Sequence, residues 1–206
     1  MRLPHHPELL AALRDPSEAE PWRVLISGCL ADWPVTTDGH SMGALRPSWL
    51  APPLVELIPF CPEDYRIGTP RGMPDLHGGD GFAVLDGRAQ VLDEHDYNLT
   101  PWVIDGAHAM VALAQERTVD FALLLDRSGT CGSQVVSLGC RLVPPVNYVK
   151  GVGVATAALL RAGVHVVSQR DYQTLERLHA KLDPSHSVDP EARDHHEHPW
   201  VLEHLG

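Results

Sequence analysis

Short apolar runs recur along this chain, and each ends at a polar residue, a glycine or a cysteine. Runs of four to six apolar residues without a helical period are typical of strands that are buried on both faces. We predict four such strands, at residues 24–28, 55–60, 121–125 and 164–168.

Three longer segments carry helix signals between and after these strands. Thr100-Pro101 is the expected cap and first residue of a helix whose apolar face continues to Ala114. A glycine-led segment at 151–163 ends at a glycine, and residues 172–181 form a last helix. Strands that alternate with helices predict a single Rossmann-like α/β domain with a mainly parallel sheet flanked by helices.

The rest of the chain has weaker patterns. Residues 64–81 are rich in glycine and proline and predict a long irregular loop, and residues 82–92 predict a hairpin around Asp86-Gly87. We interpret 135–149 as an irregular excursion. The predicted domain spans residues 22–182, between an N-terminal extension at 1–21 with one short amphipathic piece and a polar, His-rich, solvated tail at 183–206.

Composition limits the partners that the protein can have. A chain of 206 residues with 44% hydrophobic content can bury the core of one domain. The net charge of -11 argues against nucleic acid, which needs a basic face, and favours a small-molecule ligand. No apolar stretch approaches a membrane span and no signal peptide is recognisable, so we predict a cytoplasmic protein. The sequence does not indicate an oligomeric state.

Three of the four cysteines follow predicted strands. Cys29, Cys61 and Cys131 come at or just beyond strand ends, where open α/β sheets place their ligands. Widely spaced cysteines in a reducing compartment suggest a metal or catalysis. Three thiolates suit zinc with a fourth ligand, or an iron–sulfur cubane with one open iron, and their spacing does not separate the two. Cys140 has no motif partner and is expected to be structural.

The segments around these cysteines resemble the thiouracil desulfidases. The likeness runs over residues 22–168 and consists of four motifs in the family's order. They are Ile26-Ser27-Gly28-Cys29-Leu30 with Thr37-Asp38-Gly39, Pro59-Phe60-Cys61-Pro62-Glu63 with Gly68-Thr69-Pro70-Arg71, Ser128-Gly129-Thr130-Cys131-Gly132-Ser133, and Gly151-Val152-Gly153-Val154-Ala155-Thr156-Ala157.

The resemblance implies a [4Fe-4S] cluster held by Cys29, Cys61 and Cys131, with one iron free. It implies removal of sulfur from a thiolated uracil base or nucleotide by hydrolysis, without net redox change. It also matches Ser128 to an active-site serine and Glu63 to the acid of a Cys-Pro-Glu motif, while Asp38 matches the acid of the first loop. We hypothesise that Glu63, or secondly Asp38, deprotonates water and that Ser128 holds the pyrimidine.

The chain departs from the family pattern beside the last cysteine. The family usually has Ser-Pro-Ser-Cys there and a lysine three residues before the first serine, whereas this chain has Gly129, Thr130 and Leu125 at those places. Loss of the lysine removes a positive charge from the loop, and the glycine makes the loop less preset. Both changes bear on the substrate more than on the cluster.

Simpler explanations compete for several of these residues. Ser128 is also suited to capping a helix, and Glu63 and Asp38 to lying in solvated loops. Arg71 would bind a substrate anion or lie on the surface. The alternative function is a non-catalytic binding module stabilised by a metal or cluster, which a fourth protein ligand such as Cys140 would favour. A hydrolase with Cys131 as nucleophile would need a histidine that no motif places.

Overall fold

The computed structural model describes residues 6–205, and a sheet of four parallel strands forms its centre. Its order is β2-β1-β5-β8, where β1 is Trp22–Ser27, β2 is Val55–Phe60, β5 is Phe121–Leu124 and β8 is Val166–Ser168. The four predicted strands and the parallel α/β fold are therefore confirmed, with strand ends shifted by one or two residues.

Side chains that alternate along these strands divide the core into two layers. Leu25 and Ala122 face one side of the sheet, whereas Val24, Ile26 and Leu123 face the other. All five are fully buried. Successive residues of a strand point to opposite faces, so an uninterrupted apolar run is what a sheet covered on both faces requires.

Helices cover both faces of the parallel sheet. On the first side lie α2 (Gly81–Leu85), α3 (Thr100–Glu116) and α4 (Val154–Arg161), which share a core cluster with Leu25. On the other side α1 (His6–Ala12) and α5 (Tyr172–Leu182) pack against Val24 and Ile26. No helix within residues 6–205 combines the length and the apolar character needed to cross a bilayer.

A second, smaller sheet is formed in part by two segments that the sequence predicts to be irregular, 64–81 and 135–149. It contains β3 (Asp75–His77), β4 (Gln90–Leu92), β6 (Val135–Leu138) and β7 (Asn147–Lys150), in the order β4-β3-β6-β7. The interpretation of 135–149 as irregular is wrong, because β6 and β7 pair antiparallel over four residues each. Short strands joined by a proline-rich connection give little periodicity, which is why the pattern hid them.

The predicted hairpin at 82–92 is also wrong in its first arm. Residues 81–85 form the helix α2, since the Asp80 carboxylate accepts a hydrogen bond from the Ala83 amide and caps it. A Cβ at Gly81 would meet the backbone of Gly153, so only glycine lets α2 approach α4 this closely. The second arm, β4, pairs with β3 instead. An apolar run of four or five residues fits either a helix or a strand.

The helix α3 begins one residue earlier than predicted. Leu99 is its N-cap, and Thr100 is already helical. The Thr100 hydroxyl accepts a hydrogen bond from the Val91 amide at 2.9 Å, so it ties the helix to β4 instead of capping it.

Both terminal segments pack on the domain. Leu9 and Leu13 of the N-terminal segment are buried in the core, and the C-terminal segment folds into a turn at His195–Glu197 and the helix α6 (Pro199–Leu205). The predicted solvation of the tail histidines is wrong for His195, which is 7% exposed. Residues 1–5 of the predicted extension and residue 206 of the predicted tail lie outside the described residues, and the division into 1–21, 22–182 and 183–206 stays a prediction.

A buried ionic contact joins the N-terminal segment to the start of α5. The Nε2 atom of His6 lies 2.9 Å from the Asp171 carboxylate, and the ligand atoms of His6, Asp171 and Asp194 all lie within 4.8 Å of one another. Burial by itself would lower the pKa of His6, but the hydrogen bond to Asp171 and the charges of both carboxylates raise it above 6.5. The protonated imidazole therefore stabilises the packed termini.

Replacement of His6 by glutamine is expected to flatten the pH dependence of stability. Because the pKa of folded His6 is raised, its contribution is full below about pH 6.5 and is lost as the pH rises through the folded value. Urea unfolding at pH 6 and pH 8 measures this: the natural chain should lose more free energy of unfolding than His6→Gln. His108→Gln, an exposed control on α3, should behave like the natural chain, and an equal pH response of all three would contradict the assignment.

Candidate active site

The strand order brings three cysteines to one edge of the parallel sheet. From the central strand β1 the chain crosses to β2 on one side and later to β5 on the other, so the carboxyl ends of β2, β1 and β5 lie side by side. Cys29, Cys61 and Cys131 follow these three ends and line one pocket. The three thiols therefore lie together where the strand order reverses, the position at which open α/β sheets bind their ligands.

The thiols of Cys29, Cys61 and Cys131 can hold a metal group in this pocket. Three thiolates suit a tetrahedral zinc ion that has a fourth ligand. They also suit a [4Fe-4S] cubane, in which three cysteine ligands leave one iron without a protein ligand.

The thiols are protonated in the absence of a cation. Burial, followed by the charges of Cys61 and Glu63, raises the pKa of Cys29 to about 12. Burial and the charge of Glu63 raise the pKa of Cys61 to about 11, and the same two causes raise that of Cys131. A metal group that binds as a cation would stabilise the thiolates and displace their protons.

The loop that carries Cys131 is built around the buried carboxylate of Asp126. Its Oδ1 atom accepts hydrogen bonds from the amides of Arg127 and Ser133, both at 2.9 Å, and Oδ2 contacts Nδ1 of His195. Burial would raise the pKa of Asp126, but the hydrogen bond and charge of His195, together with the loop amides, hold it below its usual value. The two ends of the loop are therefore held together by hydrogen bonds to the same carboxylate.

Ser128 forms hydrogen bonds within the cysteine loop and also lines the pocket. Its hydroxyl oxygen accepts hydrogen bonds from the amides of Thr130 at 3.1 Å and Cys131 at 3.0 Å, and the side chain lines the pocket. The simpler explanation of Ser128 as a backbone cap is therefore correct in part, since the serine caps the cysteine loop and not a helix. Glycine at position 129 is explained by steric crowding, because a Cβ there would lie 2.7 Å from the Pro74 carbonyl oxygen.

Glu63 lies in the pocket and is held by a buried arginine. The Nη2 and Nε atoms of Arg71 donate to Oε2 of Glu63 at 2.6 and 3.0 Å. The other donors of Arg71 bind the Val35 and Gly68 carbonyls and the Thr69 hydroxyl. The Arg71 side chain is 3% exposed, so it is neither a surface residue nor free for a substrate anion. It locks Glu63 and three loop segments together.

Asp38 lies apart from these residues. Its carboxylate accepts a hydrogen bond from the Thr36 hydroxyl at 2.7 Å, and its side chain is 67% exposed. The hydrogen bond from Thr36 lowers the pKa of Asp38. Thr36 and Thr37 line the pocket, but Asp38 is not among the lining residues.

The pocket contains a cation that the sequence did not reveal. Arg141 comes from the connection after β6 and lines the pocket, with its Nε atom paired to the buried carboxylate of Asp75. Its Nη2 atom also donates to the Pro74 carbonyl at 3.0 Å. Asp75 and Arg141 belong to segments that we had predicted to be irregular, and no motif links them. Cys140, the neighbouring residue, is not among the residues that line the pocket.

The fold and the site define an α/β protein with a three-thiol pocket at the strand ends of its parallel sheet, beside a carboxylate and a serine. The family model described as 2-thiouracil desulfurase matches residues 24–171. The chain belongs to this family. The predicted resemblance is confirmed.

Two individual proteins are similar to the chain. The uncharacterized protein YbbK of Bacillus subtilis (strain 168) is 27% identical over 149 residues, which are 72% of this chain and 96% of YbbK. The solved structure of the [4Fe-4S]-dependent thiouracil desulfidase TudS is 29% identical, with a TM-score of 0.58 over 71% of this chain and 90% of that one. The described segments of this chain before residue 24 and after residue 171 lie outside the family match.

Asp126→Asn is expected to destabilise the fold and loosen the cysteine loop. A neutral amide removes the buried negative charge that faces His195 and leaves a weaker acceptor for the loop amides, which should cost about 3 kcal/mol of unfolding free energy. Urea unfolding measures this loss.

The matched control is Asp86→Asn, which removes a half-exposed carboxylate paired with Arg88 and Arg161. This control should unfold nearly like the natural chain, because exposed ion pairs contribute little. Equal effects of the two substitutions would show that Asp126 does not organise the loop.

Proposed function

We propose that the chain is a hydrolytic desulfidase with a [4Fe-4S] cluster, which converts a thiolated uracil base to uracil, or its mononucleotide to the uridine mononucleotide, and releases hydrosulfide. The observation that carries the proposal is the convergence of Cys29, Cys61 and Cys131 on one pocket that also contains Glu63 and Ser128. Membership of the 2-thiouracil desulfurase family and the likeness to a [4Fe-4S]-dependent desulfidase support the same reaction and cofactor.

Cys29, Cys61 and Cys131 would hold the cluster through their three sulfurs. When bound, the cluster supplies an iron without a protein ligand, a Lewis acid with an affinity for the thiocarbonyl sulfur of the substrate. Apolar side chains of Phe60 and Leu125 line the pocket with the ring of Pro74, and they suit a planar pyrimidine.

Glu63 takes the proton of the attacking water in this proposal. Both hydrogen bonds from Arg71 fall on Oε2, so Oε1 is the oxygen that is directed to the reaction. Arg71 keeps the carboxylate in one orientation and balances its buried charge. Asp38, the second candidate base, is mostly exposed and outside the pocket lining, and we therefore assign the proton transfer to Glu63.

Ser128 positions the pyrimidine. The lone pairs of its oxygen are engaged by the amides of Thr130 and Cys131, and its hydrogen is directed to an acceptor on the substrate, such as a ring carbonyl. The water adds to the carbon that bears sulfur, the carbon–sulfur bond breaks, and the products are hydrosulfide and uracil, or the uridine mononucleotide when the substrate is a nucleotide. No electron is gained or lost, so the reaction needs no oxidant or reductant.

The alternative functions lack their distinguishing residues. A binding module with a closed metal site needs a fourth protein ligand, and Cys140 does not line the pocket. A cysteine-nucleophile hydrolase needs a neighbouring base, and no histidine of residues 6–205 lines the pocket. The arrangement therefore favours the desulfidase.

Substitution of the three pocket cysteines and substitution of Cys140 should have different effects on the amount of bound iron. After anaerobic reconstitution with iron and sulfide, Cys29→Ala, Cys61→Ala and Cys131→Ala are expected to lose most of the bound iron and the charge-transfer absorbance, because two thiolates hold a cubane poorly. Cys140→Ala is the control and should bind iron like the natural chain. Equal loading of all four variants, or zinc uptake in place of iron, would refute the cluster assignment.

Turnover should depend on Glu63 and not on Asp38. With 2-thiouracil and 4-thiouracil as substrates and sulfide release as the signal, Glu63→Gln is expected to lower kcat by about 10²–10⁴-fold, the usual contribution of a general base. The cluster absorbance should persist. Asp38→Asn, which neutralises the exposed carboxylate, should keep nearly full activity; a fully active Glu63→Gln would refute the base assignment, and sulfide release from neither isomer would refute these bases as substrates.

A further inference from the structure

A second cavity lies on the far side of the loop that carries Ser128 and Cys131. It is lined by Arg127, Arg170, Tyr172, His195, His198 and Trp200. None of these six residues lines the thiol pocket. Most of them belong to the C-terminal part of the chain, and the segment that contributes His195, His198 and Trp200 lies beyond the family match at 24–171.

Arg127 is turned into this cavity by a left-handed backbone conformation. Its φ of 62° is rarely adopted by residues with a Cβ, and strain of this kind is common at functional sites. The neighbouring Ser128 lines the thiol pocket, so the turn sends adjacent side chains to different cavities. The guanidinium lies over the ring of Tyr148 at 4.4 Å and over that of Trp200 at 5.7 Å, which fixes its position.

Among the described residues, Arg127 and Arg170 form no ion pair. Most arginines in residues 6–205 form ion pairs, as Arg141 does with Asp75 and Arg161 with Asp86. No acidic side chain of the described residues lies within 4.0 Å of either Arg127 or Arg170. In a chain with a net charge of -11, two unpaired guanidinium groups at one cavity are unexpected.

Both arginines also keep a buried donor without a partner. The Nε atoms of Arg127 and Arg170 are buried and form no hydrogen bond with the described residues. An unsatisfied buried donor costs free energy, and a charged one costs more. The terminal nitrogens of both guanidinium groups are not among these buried atoms, and they are the donors that a ligand with oxyanion acceptors would meet in the cavity.

We propose that this cavity binds the phosphate group of a nucleotide. The planar guanidinium fork matches phosphate oxygens, and two forks at one cavity give a dianion several charge-assisted hydrogen bonds. Tyr172, which is 53% exposed, forms a wall on which the base of the nucleotide can stack. The site depends on neither the cluster nor the desulfuration, and it shares only the loop at 126–128 with the thiol pocket.

Binding of uridine 5′-monophosphate, uridine and inorganic phosphate to the full-length reconstituted protein tests the proposal by calorimetry. We expect the nucleotide to bind, uridine to bind at least tenfold more weakly, and added salt to weaken nucleotide binding. Arg170→Gln should weaken nucleotide binding about tenfold or more. Tyr172→Ala should weaken binding of the nucleotide but not of inorganic phosphate.

The matched control is Arg177→Gln, which removes the same charge from an exposed position of α5 that does not line the cavity. It should bind the nucleotide like the natural chain. Four results would overturn the site: no nucleotide binding, equal binding of uridine and the nucleotide, binding of inorganic phosphate alone, or equal losses in Arg170→Gln and Arg177→Gln. Uridine 5′-monophosphate is also a product of the proposed reaction on a mononucleotide, so the loss in Arg170→Gln, a residue that lines this cavity and not the thiol pocket, distinguishes binding here from binding at the active site.

Discussion

The buried carboxylate of Asp126 is the group on which the arrangement of the site depends. It lies two residues beyond the end of β5, accepts hydrogen bonds from both ends of the cysteine loop, and is paired with His195 from the C-terminal segment. Removal of one charge from water is costly unless its hydrogen bonds are complete, and here they are. The same ion pair therefore fixes the loop geometry and anchors a segment that lies outside the family match.

A second buried pair has the corresponding role on the other side of the pocket. Arg71 binds Glu63 and the backbone of the loop after β1, so the first two cysteine segments are joined through a side chain and not through strand pairing alone. The three thiols are thus positioned by two charged contacts laid over one parallel sheet. Each contact also places a candidate catalytic residue in the pocket, Glu63 near Cys61 and Ser128 near Cys131.

The sequence predicts the central sheet and the three thiols because both depend on local patterns. An apolar run that ends in cysteine is visible in the chain, and the order of parallel strands places the ends together. The role of Arg71, the pair of Asp75 and Arg141, and the burial of His195 could not be predicted, since each depends on partners that are brought together only by folding. The helix at 81–85 was mistaken for a strand because five residues do not show a period.

The origin of the three thiols on separate strands has a consequence for assembly. In a zinc finger, ligands close in sequence gather around the metal, and the metal drives folding. Here strand pairing joins Cys29, Cys61 and Cys131 across about a hundred residues of chain. The pocket of the three thiols forms only when the polypeptide folds, so a cluster held there would be inserted into a scaffold that has already folded.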